Sequence, residues 1–154
     1  LDAGSNSNNI VHGSAALTLA KALSVYEAFG EADVPDDGQR YFVVSPAGWA
    51  DLLQIDQFSR SEYIGEGELP YAGGMTAKRW LGFLWFTHSG LSKASTTRDC
   101  HAYHASSVGL ASGADIRTEM NYLPEKVSNL VTSYFSAGAV MIDNDGAIEC
   151  QITE

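Results

Sequence analysis

Apolar and polar positions along this chain change period several times, and each change marks an element. From Ser14 to Gly30 the apolar residues return every third or fourth place, at Leu19, Ala22, Leu23, Tyr26 and Phe29, with Thr18, Lys21 and Ser24 between them. That is the period of an amphipathic helix, with Ser14 placed to cap it and Gly30 to end it. Val34-Pro35-Asp36-Asp37-Gly38 then reads as a turn, with Pro35 at its second position and Gly38 taking a positive φ. Arg40 to Val44 is aromatic and β-branched, the pattern of a buried strand. Ser45 follows as an N-cap with Pro46 at the first helical position, and Trp49, Leu52 and Leu53 share one face of a short helix.

The remaining pattern is weaker. Ile55 to Met75 contains "GEGELPYAGG" and reads as a partly ordered loop. "AKRWLGFLWFTHS" places a strand on either side of Gly82, and residues 89–99 read as an exposed loop. "HAYHASSVGLAS" suits a strand running into a short helix, and "DIRTEMNYL" suits a strand. "VSNLVTSYFSAGAVMI" predicts one long strand or two, joined through Asp143-Asn144-Asp145-Gly146 to "AIECQI" as a hairpin. The expected class is α+β: two or three helices against a mixed, mostly antiparallel sheet. Residues 1–13 are expected as a flexible arm and 14–154 as one domain, a length that allows a sizeable core.

Composition narrows the function. Nineteen acidic residues against nine lysines and arginines give a formal net charge of −10, which disfavours direct recognition of nucleic acid, since that begins with cations neutralising phosphates. No apolar run approaches the ~20 residues that cross a bilayer. No charged-then-apolar leader opens the chain, and Leu1 in place of a methionine leads us to expect a fragment or processed product. Cys100 and Cys150 are expected to be a reduced pair rather than a disulfide.

Three chemical readings fail on spacing. Ser45 stands between a strand and a helix, where hydrolases place a nucleophile. However, the glycines of that elbow are absent from Val43-Val44-Ser45-Pro46-Ala47, and Pro46 removes an N–H that an oxyanion hole needs. Asp33, Asp36 and Asp37 lack the alternate spacing of a calcium loop and read as a solvated turn, with Arg40 offsetting their charge. Cys100 and His104 would share a strand face with His101 opposite, and His12, His88 and Cys150 could complete a zinc site. No ligand template matches those spacings. Trp80, Phe83, Trp85 and Phe86 read as core rather than a stacking platform. No catalytic residue, cofactor-binding residue or metal ligand is therefore assigned, and no cofactor. The profile favours a structural or assembly role over an enzyme.

A resemblance gives that role content. The ordered set of Val34-Pro35, Asp36-Asp37-Gly38, Arg40, the strand to Val44, Ser45-Pro46 and Leu52-Leu53 resembles tailed-phage major capsid proteins of the Hong Kong 97 fold. "SEYIGEGEL", "GMTAKRWLGFLWFTHSGL", "AYHASSVGLASG" and "SAGAVMIDNDGAIEC" follow in the family's order, so the likeness runs over roughly residues 14–152. It implies the axial domain with some peripheral-domain strands, the spine helix and extended loop lying upstream. It further implies a structural subunit of an icosahedral virion capsid, assembled in the host bacterial cytoplasm into pentamers and hexamers around double-stranded DNA. The implied partners are other copies of itself, scaffold, portal or decoration proteins, and packaged DNA bound without sequence preference, with no membrane. An acidic chain suits DNA that must later be ejected. An encapsulin-type bacterial shell is the alternative, with a small serine hydrolase using Ser45 or a zinc protein using Cys100 and His104 behind it.

Overall fold

The computed structural model describes residues 8–59 and 77–154, and their chain divides into two compact units, one formed by the residues up to Val108 with Met141–Glu154, the other by Gly109–Val140. The first unit holds a seven-stranded mixed sheet. Its strands are β1 (Asn9–Ile10), β2 (Arg40–Val44), β3 (Ala77–Trp80), β4 (Phe83–Thr87), β5 (Lys93–Ala94), β6 (Thr97–His104) and β9 (Ala147–Thr153), in the order β1-β9-β6-β2-β4-β3 with β5 on β6. The pairs β1–β9 and β2–β4 are parallel and the others antiparallel. Asn9 and Ile10, inside the stretch expected as a flexible arm, thus pair with Glu149 and Cys150.

Three helices accompany this sheet: α1 (Leu19–Glu31), α2 (Pro46–Leu53) and α3 (Asp56–Ser59). Helix α1 begins four residues later than expected: Thr18, not Ser14, is its N-cap, and Ser14 has a positive φ of 55°. Its buried stripe is Ala22, Val25 and Phe29, while Leu23 and Tyr26 face outward. Helix α2 starts as read, with Ser45 accepting from the Gly48 N–H at 3.0 Å and Pro46 in the first turn. Of the loop expected over 55–75, Asp56–Ser59 is helical, and residues 60–76 lie outside the described residues.

Alternation in the strands decides what is buried. Phe42 stands opposite Ala102 on one side and Trp85 on the other, and Ala102 stands opposite Ile148, so one row crosses four strands. All four are buried, as are Val44, Phe83, Cys100, Cys150 and Ile152 of the same cluster. Phe42 stacks on Trp85 with ring centroids 4.0 Å apart, and Phe83 meets Phe29 of α1 edge-on at 5.1 Å. Core packing is thus the role of Phe83 and Trp85.

The turn before β2 is held from inside. Buried Arg40 donates to the carbonyls of Val34 and Pro35, and its guanidinium lies 5.6 and 5.9 Å from the Phe29 and Phe83 ring centres. It is therefore not the counter-charge to Asp36 and Asp37 that the sequence suggests. Two carbonyls and two ring faces satisfy it in place of a carboxylate. Gly38 has the expected positive φ, 80°.

The second unit is a long antiparallel ribbon of β7 (Val108–Leu123) and β8 (Ser128–Met141). A short 3-10 turn, Ala105–Ser107, precedes it, as the strand-to-helix reading of that region expects. The hairpin expected across Asp143-Asn144-Asp145-Gly146 does not form. Strand β8 pairs with β7, whereas β9 pairs with β6 and β1. The 142–146 segment is instead tied to Ser107, whose carbonyl accepts from Ile142 N–H at 2.8 Å, and to His104, whose N–H donates to the Gly146 carbonyl at 2.9 Å.

Gly146 is required by proximity, not by φ. A Cβ there would lie 1.8 Å from the Oγ of buried Ser107 and 2.8 Å from its Cβ. Gly146→Ala is expected to cost about 1–3 kcal/mol through overpacking. Adding Ser107→Ala should return part of that loss in urea denaturation; a double variant no more stable than the single one would count against the proximity argument.

Candidate functional site

The residues with chemical potential are not gathered into one centre. Ser45 Oγ donates to the Glu154 carboxylate, and its remaining role is the cap on α2. Burial works against the Glu154 carboxylate, but bonds from Ser45, Arg98 and Lys93 outweigh it and hold its carboxyl below the usual range. Cys100 and Cys150 stand directly opposite in the β6–β9 ladder as free, buried thiols. Burial pushes them up to about 12 and about 11 respectively, so they stay protonated and poorly nucleophilic. Cys100 and His104 do share a face, as strand alternation requires, but His104 is engaged elsewhere: Nε2 with Asp37 at 3.0 Å and Nδ1 with Ser106 Oγ at 2.7 Å. His12 Nδ1 accepts from Ser14 N–H, and His88 Nδ1 accepts from Gly90 N–H. Among the described residues no three His, Cys, Asp or Glu side chains are grouped as a metal site.

The opposite sheet face carries polar groups. His101 stands across from Glu149, and Asp99 across from Gln151. Glu149 is buried and accepts from Gln151 Nε2 at 3.0 Å, and that burial, with Asp99 adding to it, raises its carboxyl above the usual range. A carboxyl whose folded pKa is raised stabilises below its unfolded pKa and loses that contribution as pH rises through the folded value. Glu149→Gln should therefore be more stable than the parent at pH 7, with the advantage vanishing below about pH 4, where both carry a neutral group. Denaturation midpoints at the two pH values check this; an advantage that persists at low pH would show that charge is not the cause.

The feature with the clearest functional geometry is the ribbon. Thr118 Oγ1 lies 2.9 Å from Ser133 Oγ, which puts these residues across from each other and fixes the two faces by alternation. One face then carries Asp115, Arg117, Glu119 and Asn121 of β7, with Tyr134 of β8 donating to Glu119 at 3.2 Å. The other face carries Leu110, Ile116, Met120 and Tyr122 from β7 with Val131 and Phe135 from β8. These six are between 57% and 79% exposed. An isolated two-stranded hairpin is at best marginal in water, and a contiguous exposed apolar surface of this kind marks an interaction site. Sequence reasoning missed it. The signal was present in the alternation from Leu110 to Tyr122, but Gly109, Gly113 and the small residues between them disguised one long strand as several short pieces.

Solved structures share this fold. The chain is similar to a structure from Mycobacterium phage Che8, with 18% identity and a TM-score of 0.75 over 94% of this chain and 53% of that one. It is also similar to the capsid of an empty GTA particle, with 12% identity and a TM-score of 0.69 over 100% of this chain and 54% of the other. A third likeness is the SrpI encapsulin complex of Synechococcus elongatus, at 9% identity and a TM-score of 0.60, covering 95% and 53% respectively. The chain spans about half the length of each. No curated protein sequence matches it. At these identities the likeness carries the fold, and that fold is the Hong Kong 97 type used by capsid shells. The sequence goes further: residues 2–154 match the phage capsid protein family, and the chain belongs to it.

Proposed function

We propose that this chain is the axial part, with peripheral strands, of a tailed-phage or gene-transfer-agent shell subunit, and that it works by assembly rather than catalysis. The observation that carries the reading is the uncovered apolar face of the ribbon in a chain of the phage capsid family. Two strands span about 10 Å, the diameter of one helix with its side chains. A strand the length of β7 covers about 50 Å at 3.4 Å per residue, so a spine helix of about 30 residues from the upstream region would lie along it. With the helix in place, copies of the subunit form pentamers and hexamers in a virion shell around double-stranded DNA. Scaffold, portal or decoration proteins are further partners, and assembly takes place in the host cytoplasm. The formal net charge of −10 supports loose packing of DNA rather than a tight grip on it.

The test is expression of the full-length protein followed by negative-stain microscopy and ultracentrifugation. Shells, rings or tubes are expected; a full-length protein that stays monomeric at high concentration would overturn the proposal. The likeness to the encapsulin complex supports a second reading, a bacterial shell enclosing protein cargo. Shells purified with nuclease-protected DNA favour the phage reading, and shells holding a co-purified enzyme favour the other.

A further inference from the structure

Outside the ribbon, a side chain from the turn before β2 meets two neighbouring side chains at the end of β6. Asp37 comes from the turn before β2, His104 ends β6, and Ser106 lies in the short turn that follows. His104 Nε2 lies 3.0 Å from Asp37 Oδ1, and His104 Nδ1 lies 2.7 Å from Ser106 Oγ. The carboxylate fixes the tautomer, because only an Nε2–H can donate to it, which leaves the Nδ1 lone pair to Ser106, whose hydroxyl lies 2.7 Å away and whose backbone N–H donates to it at 3.3 Å. The imidazole is shielded, its side chain 5% exposed, while Ser106 is exposed. Asp37 is itself anchored, since its Oδ1 also accepts from the Gln39 N–H at 2.9 Å.

We propose that Ser106 is an activated nucleophile and a covalent modification site for activated acyl or phosphonyl donors. His104 is its base, and Asp37 is a positioning residue. A serine against a base that a third group orients is the general arrangement of an activated hydroxyl. In the step, Ser106 Oγ attacks the electrophilic carbon or phosphorus and the new O–C or O–P bond forms. The bond to the leaving group breaks, that group departs with the electron pair, and the hydroxyl proton passes to His104 Nδ1. The resulting imidazolium is held by Asp37, whose carboxyl lies below its usual range because of the hydrogen bond from His104. The outcome is stoichiometric modification of a shell subunit, which goes beyond the assembly role and does not depend on it.

The test uses this chain with a fluorophosphonate probe, so that fluoride is the leaving group, and peptide mapping by mass spectrometry. Ser89, an exposed serine in the turn after β4, serves as the internal reference. Ser106 is expected to label about 100-fold faster than Ser89, the scale of a positioned general base. His104→Gln should reduce that ratio to near one. Asp37→Asn, a change at a partly exposed side chain (42%), should lower it while circular dichroism stays unchanged. Labelling of Ser106 no faster than Ser89, or unaffected by His104→Gln in a folded protein, would leave the three residues as a cap and overturn the proposal.

Discussion

Replacing Trp85 with alanine is expected to remove about 3–5 kcal/mol of stability, the usual cost of truncating a fully buried large aromatic. Domains of this kind hold only about 5–15 kcal/mol in total, so the variant should be close to unfolding at 37 °C. The cost has three parts. Trp85 is 0% exposed and stacks on Phe42 at 4.0 Å, so truncation leaves a cavity against a flat ring that cannot collapse into it. It also sits at 5.5 Å from Trp80, which continues the aromatic row through Phe58 and Trp49. Its indole N–H donates to the Trp80 carbonyl at 2.8 Å, and that acceptor loses its partner. Guanidinium denaturation of Trp85→Ala and Trp85→Phe separates these parts, since phenylalanine keeps a stacking ring and loses only the N–H and some volume. A loss below about 1 kcal/mol for the alanine variant would show that the row is not central to the core.

The second large effect concerns assembly. Phe135→Asp or Ile116→Asp should abolish shell formation by the full-length protein while leaving the seven-stranded unit folded. Burying a side chain of this size contributes about 1.5–3 kcal/mol. The six on this face together therefore amount to on the order of 10 kcal/mol when covered. An aspartate in the middle removes one such contribution and places an unpaired carboxylate in the covered surface, which costs several kcal/mol more. The polar face supplies the control: Asp115→Ser should assemble like the parent. Microscopy of the three variants gives the readout, with near-ultraviolet circular dichroism reporting on Trp85 and its neighbours. Normal shells from Phe135→Asp would mean that this face is not buried in the assembled subunit.

Much of the seven-stranded unit was legible in the sequence because local chemistry dictates it. Ser45 with Pro46 sets the start of α2 whatever surrounds it, since the hydroxyl takes an N–H and the ring fixes φ. Gly38 takes the positive φ that the acidic turn needs, and the aromatic and β-branched run from Arg40 to Val44 has one dominant preference. The order of such motifs was also enough to point to the capsid family to which the chain belongs.

Other features depend on pairing between distant residues, for which the local sequence carries no term. Pairing of β9 with β6 and β1 rather than β8 was hidden because Asp-Gly next to alternating residues is a genuine hairpin signal. The ribbon closes instead through Pro124 to Val127, and the packing of Gly146 on Ser107 fixes where the following chain runs. The partners of Arg40 are equally non-local in kind: carbonyls and rings replaced the carboxylates that charge counting suggested. The meeting of Asp37 with His104 spans 67 positions, beyond any motif. The sequence by itself thus determined the acidic turn at Gly38, the start of α2, the buried strand Arg40–Val44 and the family. Register, the free apolar face of the ribbon and the Asp37–His104 contact were decided only by tertiary structure, because each is the outcome of competition among distant partners rather than a preference of any one segment.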